Sequence, residues 1–267
     1  VFTPDCTQMY LRIFNFLWRA KRMEYILTST WKAQMSYSRL FRSLPELADV
    51  LHTCNTLNSE MIHFINQMQY YITFEILECC WAELLKKVHE STNLDDIIAA
   101  HENFLHYILS SCLIDNQSKD MLDQLRAIFD QIIKFQATQD TLFSRALFEL
   151  ELKKKKTDEI KENTEEGRWG LTVAEEEKEE WRQEDFRTEF LPVQRAQLQI
   201  VSQSYENLVE QFLLKLTSHS DVNLRFLSFR LDFNEHYKKK EPRLRSTLSV
   251  KYTRRKGFHG KQKIDSN

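Results

Sequence analysis

PELADVLHTCNTLNSEMIHFINQMQYYITFEILECCWAELLKKV, residues 45–88, decides the fold. Pro45 suits a first helical turn, and after it apolar residues recur three and four apart: Leu47, Val50/Leu51, Cys54, Leu57, Met61, Phe64/Ile65, Met68, Tyr71/Ile72, Ile76, Cys79, Trp81, Leu84/Leu85 and Val88. The spacing predicts one helix of about 45 residues, ~65–70 Å long. Its apolar set is wider than two positions in seven, so the pattern describes a bundle helix rather than a coiled-coil seam. The whole 267-residue chain holds only four Gly and four Pro. Strands need frequent turn residues, so this shortage predicts an all-α fold, an elongated antiparallel bundle of long helices.

Upstream, Thr3-Pro4-Asp5 is a helix start, with a capping hydroxyl, a first-turn proline and an acid at the positive end of the dipole. The helix it opens is expected to run to about Phe41. Within it lies YLRIFNFLWRAKRMEY, residues 10–25, with five aromatics and four basic residues in sixteen positions. Tyr10, Ile13, Phe14, Leu17, Ala20, Ile26 and Leu27 form the expected inward stripe. Arg12, Arg19, Lys21 and Arg22 form a charged ridge.

Downstream, Thr92-Asn93 with Asp95 and Asp96 starts a further helix, residues 115–118 form a polar loop, and another apolar stripe runs from Leu122 to Leu150. Pro192 is expected to open the next helix and Asp221 to cap the last. In LRFLSFRLDFNEHY, residues 224–237, helical and strand periods compete. With no partner strand in sight, helix is the prediction, ending near Asn234.

Charge is unevenly spread. Residues 1–237 carry 26 Lys/Arg against 37 Asp/Glu, net −11, while the stretch 238–263 has eleven bases and one acid. Two segments lack an apolar stripe, a charged insertion at about 153–189 and a basic tail at 238–267, and both are expected to be solvated and disordered. Trp169 and Trp181 are the large side chains available to anchor the insertion. The reading is one helical domain over 1–237 plus the tail. Because the chain opens on Val1 rather than Met, it reads as an N-terminally truncated piece of a longer protein.

Local signatures of catalysis are missing from the sequence. Four glycines leave no room for a phosphate-cradling loop. His101 and His106 are five apart and do not share a helix face as a zinc-binding pair would. The five cysteines, 6, 54, 79, 80 and 112, include no CxxC and fit buried, reduced thiols. Glu75 and Glu78 lie on an apolar face without a histidine or lysine nearby, and an arginine or lysine from another helix is their expected partner. No apolar run reaches the ~18 residues of a membrane span. No enzyme activity, cofactor or metal is expected. The chain offers surface instead, with Arg19, Arg22, Arg225 and Arg230 beside aromatics, the residue company of protein interfaces.

Four blocks, FNFLWRAKRMEY, MIHFINQMQYYITFEILE, DDIIAAHENFL and LRFLSFRLDFNEHY, together resemble the C-terminal conserved region, the second GRIP motif, of the gamma-tubulin complex components. The likeness runs from about Tyr10 to Tyr237 and lapses in the insertion and tail. The resemblance implies a non-catalytic helical scaffold whose C-terminal half holds one gamma-tubulin and which stands beside other gamma-tubulin complex components. Such a ring templates microtubules at centrosomes and spindle poles, in the cytoplasm, without contact to nucleic acid or membrane. The residues of these blocks that become candidates for the gamma-tubulin contact are Trp18, Arg19, Arg22, Tyr25, Gln67, Tyr70, Tyr71, Arg225, Arg230, Asp232, Asn234 and Tyr237. The alternative is a helical tether that uses its basic tail on nucleic acid or acidic membrane.

Overall fold

The computed structural model describes residues 3–115, 118–167 and 173–245, and among them there is no strand. Helix α1 (Pro4–Tyr37) starts where expected, the Thr3 hydroxyl accepting the Cys6 N–H at 3.2 Å. Short 3-10 turns at Leu40–Ser43 and Pro45–Leu47 lead into α2 (Ala48–Tyr70). The helix then continues through a π-helical stretch, Tyr71–Glu78, into α3 (Cys79–Glu90). The Asn93 side chain accepts the Asp96 N–H at 2.8 Å and starts α4 (Leu94–Ser111). Helix α5 (Lys119–Glu165) follows, and its 47 residues span ~70 Å.

Helix α6 (Val173–Asp185) runs without a break through a second π-helical stretch, Phe186–Phe190, into α7 (Leu191–Thr217). The chain ends in α8 (Val222–Leu231), capped by Asp221, then α9 (His236–Lys240) and a 3-10 turn at Pro242–Arg245.

Four of these helices close a bundle in which α1 and α7 each pack against both α2 and α5. Cross-links fix the directions. Gln69 reaches the Ala20 carbonyl and Asn58 reaches Gln34, so α1 and α2 are antiparallel. Lys215 reaches the Asp120 carbonyl and Arg145 meets Asp185, so α5 is antiparallel to the α6–α7 helix. Leu47, Met61, Leu125, Phe135, Phe212 and Leu216 fill the core. Helix α4 seals α3 and one end of α1, and α8 lies across α2 and α7.

The two π-helical stretches were not foreseen, and each has a local cause or effect. In 68–84, besides Tyr71, the buried positions are Met68, Ile72, Ile76, Cys80 and Leu84, spaced by four, which suits wider π turns better than a 3.6-residue period. The shift corrects the expected stripe, turning Cys79 outward and Cys80 inward. At the second stretch, Pro192 lacks an N–H and its ring crowds the carbonyl four residues back. The wide turns just before it absorb that defect, so the proline sits inside a helix instead of opening one.

Residues 153–165 and 173–189, expected to be a disordered insertion, are helical, although solvated along most of their length. Trp181 is exposed and does not anchor the segment, and Trp169 lies outside the described residues. Phe186 is buried, and Arg182 pairs with Glu149, itself nearly buried on α5. Arg145 adds contacts of 3.1 Å to Glu149 and 3.3 Å to Asp185. Burial nevertheless holds the Glu149 carboxyl above its ordinary pKa, with the two arginines pulling it down. Arg182→Ala should leave that carboxylate with Arg145 as its one remaining partner among the described residues and cost about 1–3 kcal/mol. Amide hydrogen exchange should speed up first across α6 while α1 and α2 stay protected.

The tail is also ordered farther than expected. Lys240 pairs with Glu206 at 2.8 Å and Leu244 is buried, so structure continues eight residues past Tyr237. Residues 246–267 lie outside the described part. Helix α8 ends at Leu231, three residues before Asn234, and the chain turns back through Glu235 in the left-handed region at φ 57°.

Candidate functional site

Helix α1 has two apolar faces. Ile13, Phe16, Ala20, Met23 and Leu27 face the core. Leu11, Phe14, Trp18 and Tyr25 form a second stripe on the opposite side, with Phe14 58%, Trp18 64% and Tyr25 74% exposed. Phe14, expected in the core, is therefore corrected to the surface, where its ring stacks on Trp18 at 6.1 Å. A helix with aromatics all round cannot bury them all against one bundle, and the remainder faces outward. Arg19 and Arg22 are exposed and pair with no carboxylate among the described residues, whereas Lys21 pairs with Glu24 at 2.6 Å.

A second exposed patch forms where the π turns meet α8. Arg230 pairs with Glu75, and its guanidinium lies 5.2 Å over the Tyr70 ring. Tyr70 packs against Phe74 at 4.9 Å, and His63 Nε2 bonds the Arg230 carbonyl at 3.1 Å. The Phe233 ring lies 6.1 Å from that of His63 and is 76% exposed. The arrangement places aromatic surface around a neutralised ion pair, which resembles the centre of a protein interface. It also answers the carboxylate question, since Glu75 has the arginine partner expected from a neighbouring helix and Glu78 is solvated.

The other candidates divide by burial. Tyr71 is a core residue whose hydroxyl donates to the Ser111 carbonyl at 3.3 Å, and burial pushes its pKa up. Tyr237 is buried too, so neither belongs on an open surface. Asp232 accepts the Tyr237 and Lys238 N–H groups at 3.0 and 2.8 Å and holds α9 in place. Arg225 staples α8 to the His219 carbonyl at 3.3 Å. Gln67 is half-buried and Asn234 exposed. Phe74, Phe226 and Phe233 were missed. For Phe74 the signal was its position four residues after Tyr70, on the side away from Ile72 and Ile76.

No group of His, Cys, Asp and Glu among the described residues could hold a metal ion, and no described helix is long and apolar enough to cross a membrane. Four cysteines are buried, and burial pushes the Cys54 and Cys112 thiols up to about 12.

The described residues form a long helical bundle that exposes two aromatic–arginine surfaces. The chain belongs to the gamma-tubulin complex component family, whose C-terminal model matches residues 1–237. It is 54% identical to a gamma-tubulin complex component 3 homolog of Xenopus laevis, over 97% of this chain and 28% of that protein. To gamma-tubulin complex component 3 of Homo sapiens it is 55% identical, over 94% of this chain and 28% of the relative. The spindle pole body component alp6 of Schizosaccharomyces pombe is 30% identical over 89% of the chain. The chain thus spans little more than a quarter of the length of the first two relatives.

Proposed function

We propose that this chain is the gamma-tubulin-holding part of a non-catalytic scaffold that stands beside other gamma-tubulin complex components and supports microtubule nucleation at spindle poles and centrosomes. Family membership over 1–237 carries this reading. It is supported by relatives named as gamma-tubulin complex and spindle pole body components. The bundle contributes no chemistry of its own. It presents a rigid surface, and rigidity lowers the ordering cost of binding.

The proposed contact comprises Trp18, Arg22 and Tyr25 on the outer stripe of α1, joined by Tyr70 and Arg230 at the π turns. Exposed aromatics with arginines beside them, Arg22 without a carboxylate partner among the described residues and Arg230 paired with Glu75, dominate interface energies when a partner desolvates them. The test is Arg22→Glu with Tyr25→Ala in the full-length protein. Both side chains are exposed, so helicity and melting temperature should stay unchanged while gamma-tubulin recovery in pull-down falls by about tenfold or more. Full recovery would remove the α1 stripe from the interface. Loss of binding on deleting residues 246–267, which spares α9 and Leu244, together with steep salt dependence, would favour the tether instead.

A further inference from the structure

Between α1 and α5 runs a groove of ≈ 410 Å³ whose edge includes Trp18 of the outer α1 stripe. Its floor is apolar, formed by Phe16, Leu125 and Phe129, which are all buried. Its rim is cationic, with Arg12 and Arg19 two turns apart on α1 and Arg126 on α5. Two of the three arginines are held in place: Arg12 donates to the Ile114 carbonyl, a neutral partner that leaves its charge intact, and Arg126 meets Asp123 at 2.9 Å. Arg19 has no carboxylate partner among the described residues. The rim therefore keeps a net charge of +2 within a stretch, residues 1–237, whose net charge is −11. From residue 6 to residue 23 the chain has four bases and no acid.

We propose that this groove is a docking site for an acidic peptide segment of a partner protein that carries one large apolar side chain. The apolar side chain covers the Phe16–Leu125–Phe129 floor, and carboxylates on either side of it meet the guanidinium groups, which favour forked hydrogen bonds to carboxylate. The volume lies in the ~300–1,000 Å³ range of ligand-sized sites. A short peptide fits the charge pattern better than nucleic acid does. Three rim cations satisfy a few carboxylates, while a continuous polyanion would extend over the acidic surface beyond them. Trp18 is common to the groove edge and the proposed gamma-tubulin contact, whereas Arg126 and the groove floor belong to the groove alone, so the test reverses Arg19 and Arg126 and leaves Trp18 in place.

The test is fluorescence anisotropy on the intact protein with a fluorescein-labelled Glu-Glu-Phe-Glu-Glu peptide, compared with Glu-Glu-Gly-Glu-Glu and Lys-Lys-Phe-Lys-Lys. The acidic phenylalanine peptide should bind tightest and weaken with salt. Arg19→Glu with Arg126→Glu should weaken it by about tenfold or more at an unchanged melting temperature. Arg39→Glu with Arg42→Glu, which reverses exposed charges elsewhere, should leave the affinity within about twofold. The proposal is overturned by undetectable binding at millimolar peptide, by binding that survives the groove reversal, by equal affinity for the glycine peptide, or by a single-stranded oligonucleotide that binds the groove more tightly. None of these outcomes touches the pull-down with Arg22 and Tyr25, so the two readings fail separately.

Discussion

Gln34→Leu is expected to destabilise the protein by about 2–4 kcal/mol, while Gln34, Asn58 and Gln139 replaced together by leucine or methionine should bring it back to within about 1 kcal/mol of the parent. Gln34 on α1 donates to Gln139 on α5 at 2.6 Å and accepts from Asn58 on α2 at 3.1 Å. Gln139 in turn donates to the Thr30 carbonyl at 3.4 Å, and its side chain is fully buried at 0% exposure. Removing the middle member leaves a carbonyl oxygen and an amide stranded away from water, each costing more than its hydrogen bond contributed. Removing all three abolishes the demand as well as the supply. Denaturant melts would show this non-additivity directly, and additive losses across the three sites would refute it. The network also fixes the axial alignment of three helices, as a polar core position does in bundles, so the apolar triple variant should show a less unique packing by NMR line shapes.

Phe64→Ala should cost about 3–5 kcal/mol, whereas Phe14→Ala should fall within about 0.5 kcal/mol of the parent. Phe64 is buried on α2, with its ring 6.4 Å from Tyr205 and 6.0 Å from Phe212, both on α7. It also floors the hollow of ≈ 250 Å³ beneath Phe233 and Tyr237. Truncating it opens a cavity where two bundle helices and α8 meet, and such cavities relax only partly. Phe14 has the same side chain and a similar place in an apolar repeat, yet it faces solvent. Equal losses at the two positions would contradict the placement of α1. Thermal melts of the two variants decide it.

That pair also shows where sequence reasoning stops. Helix starts were legible because a cap is a local event: Thr3, Asn93 and Asp221 each bond an N–H within three residues, and a few side chains decide the outcome. The side of a helix that faces the core was legible only where apolar residues occupy one face, as in 47–68. On α1 they occupy two, and the choice between Phe14 and Phe16 depends on α2 and α5, which the local pattern does not contain. The partner of Glu75 was anticipated in kind but not in identity, since Arg230 is 155 residues away. The α6 segment was misjudged because its attachment rests on Arg182 and Phe186, two side chains in a run of acids, while composition averages over all of them. Of the groove, Arg12 and Arg19 were visible as a ridge. Arg126, at the opposite rim, had nothing local to mark it.

The π-helical stretch from Tyr71 to Glu78 lets one continuous helix serve two sets of neighbours. Before it, α2 turns toward α1, α7 and α8; after it, α3 turns toward α4. A kink would achieve the same change of facing at the expense of broken backbone hydrogen bonds. Wider turns shift the helix to a new phase without a break in the run of helical residues. The stretch therefore works like a spline between two shafts, the number of residues its turns hold setting which side chains meet the bundle and which meet the α3–α4 pair.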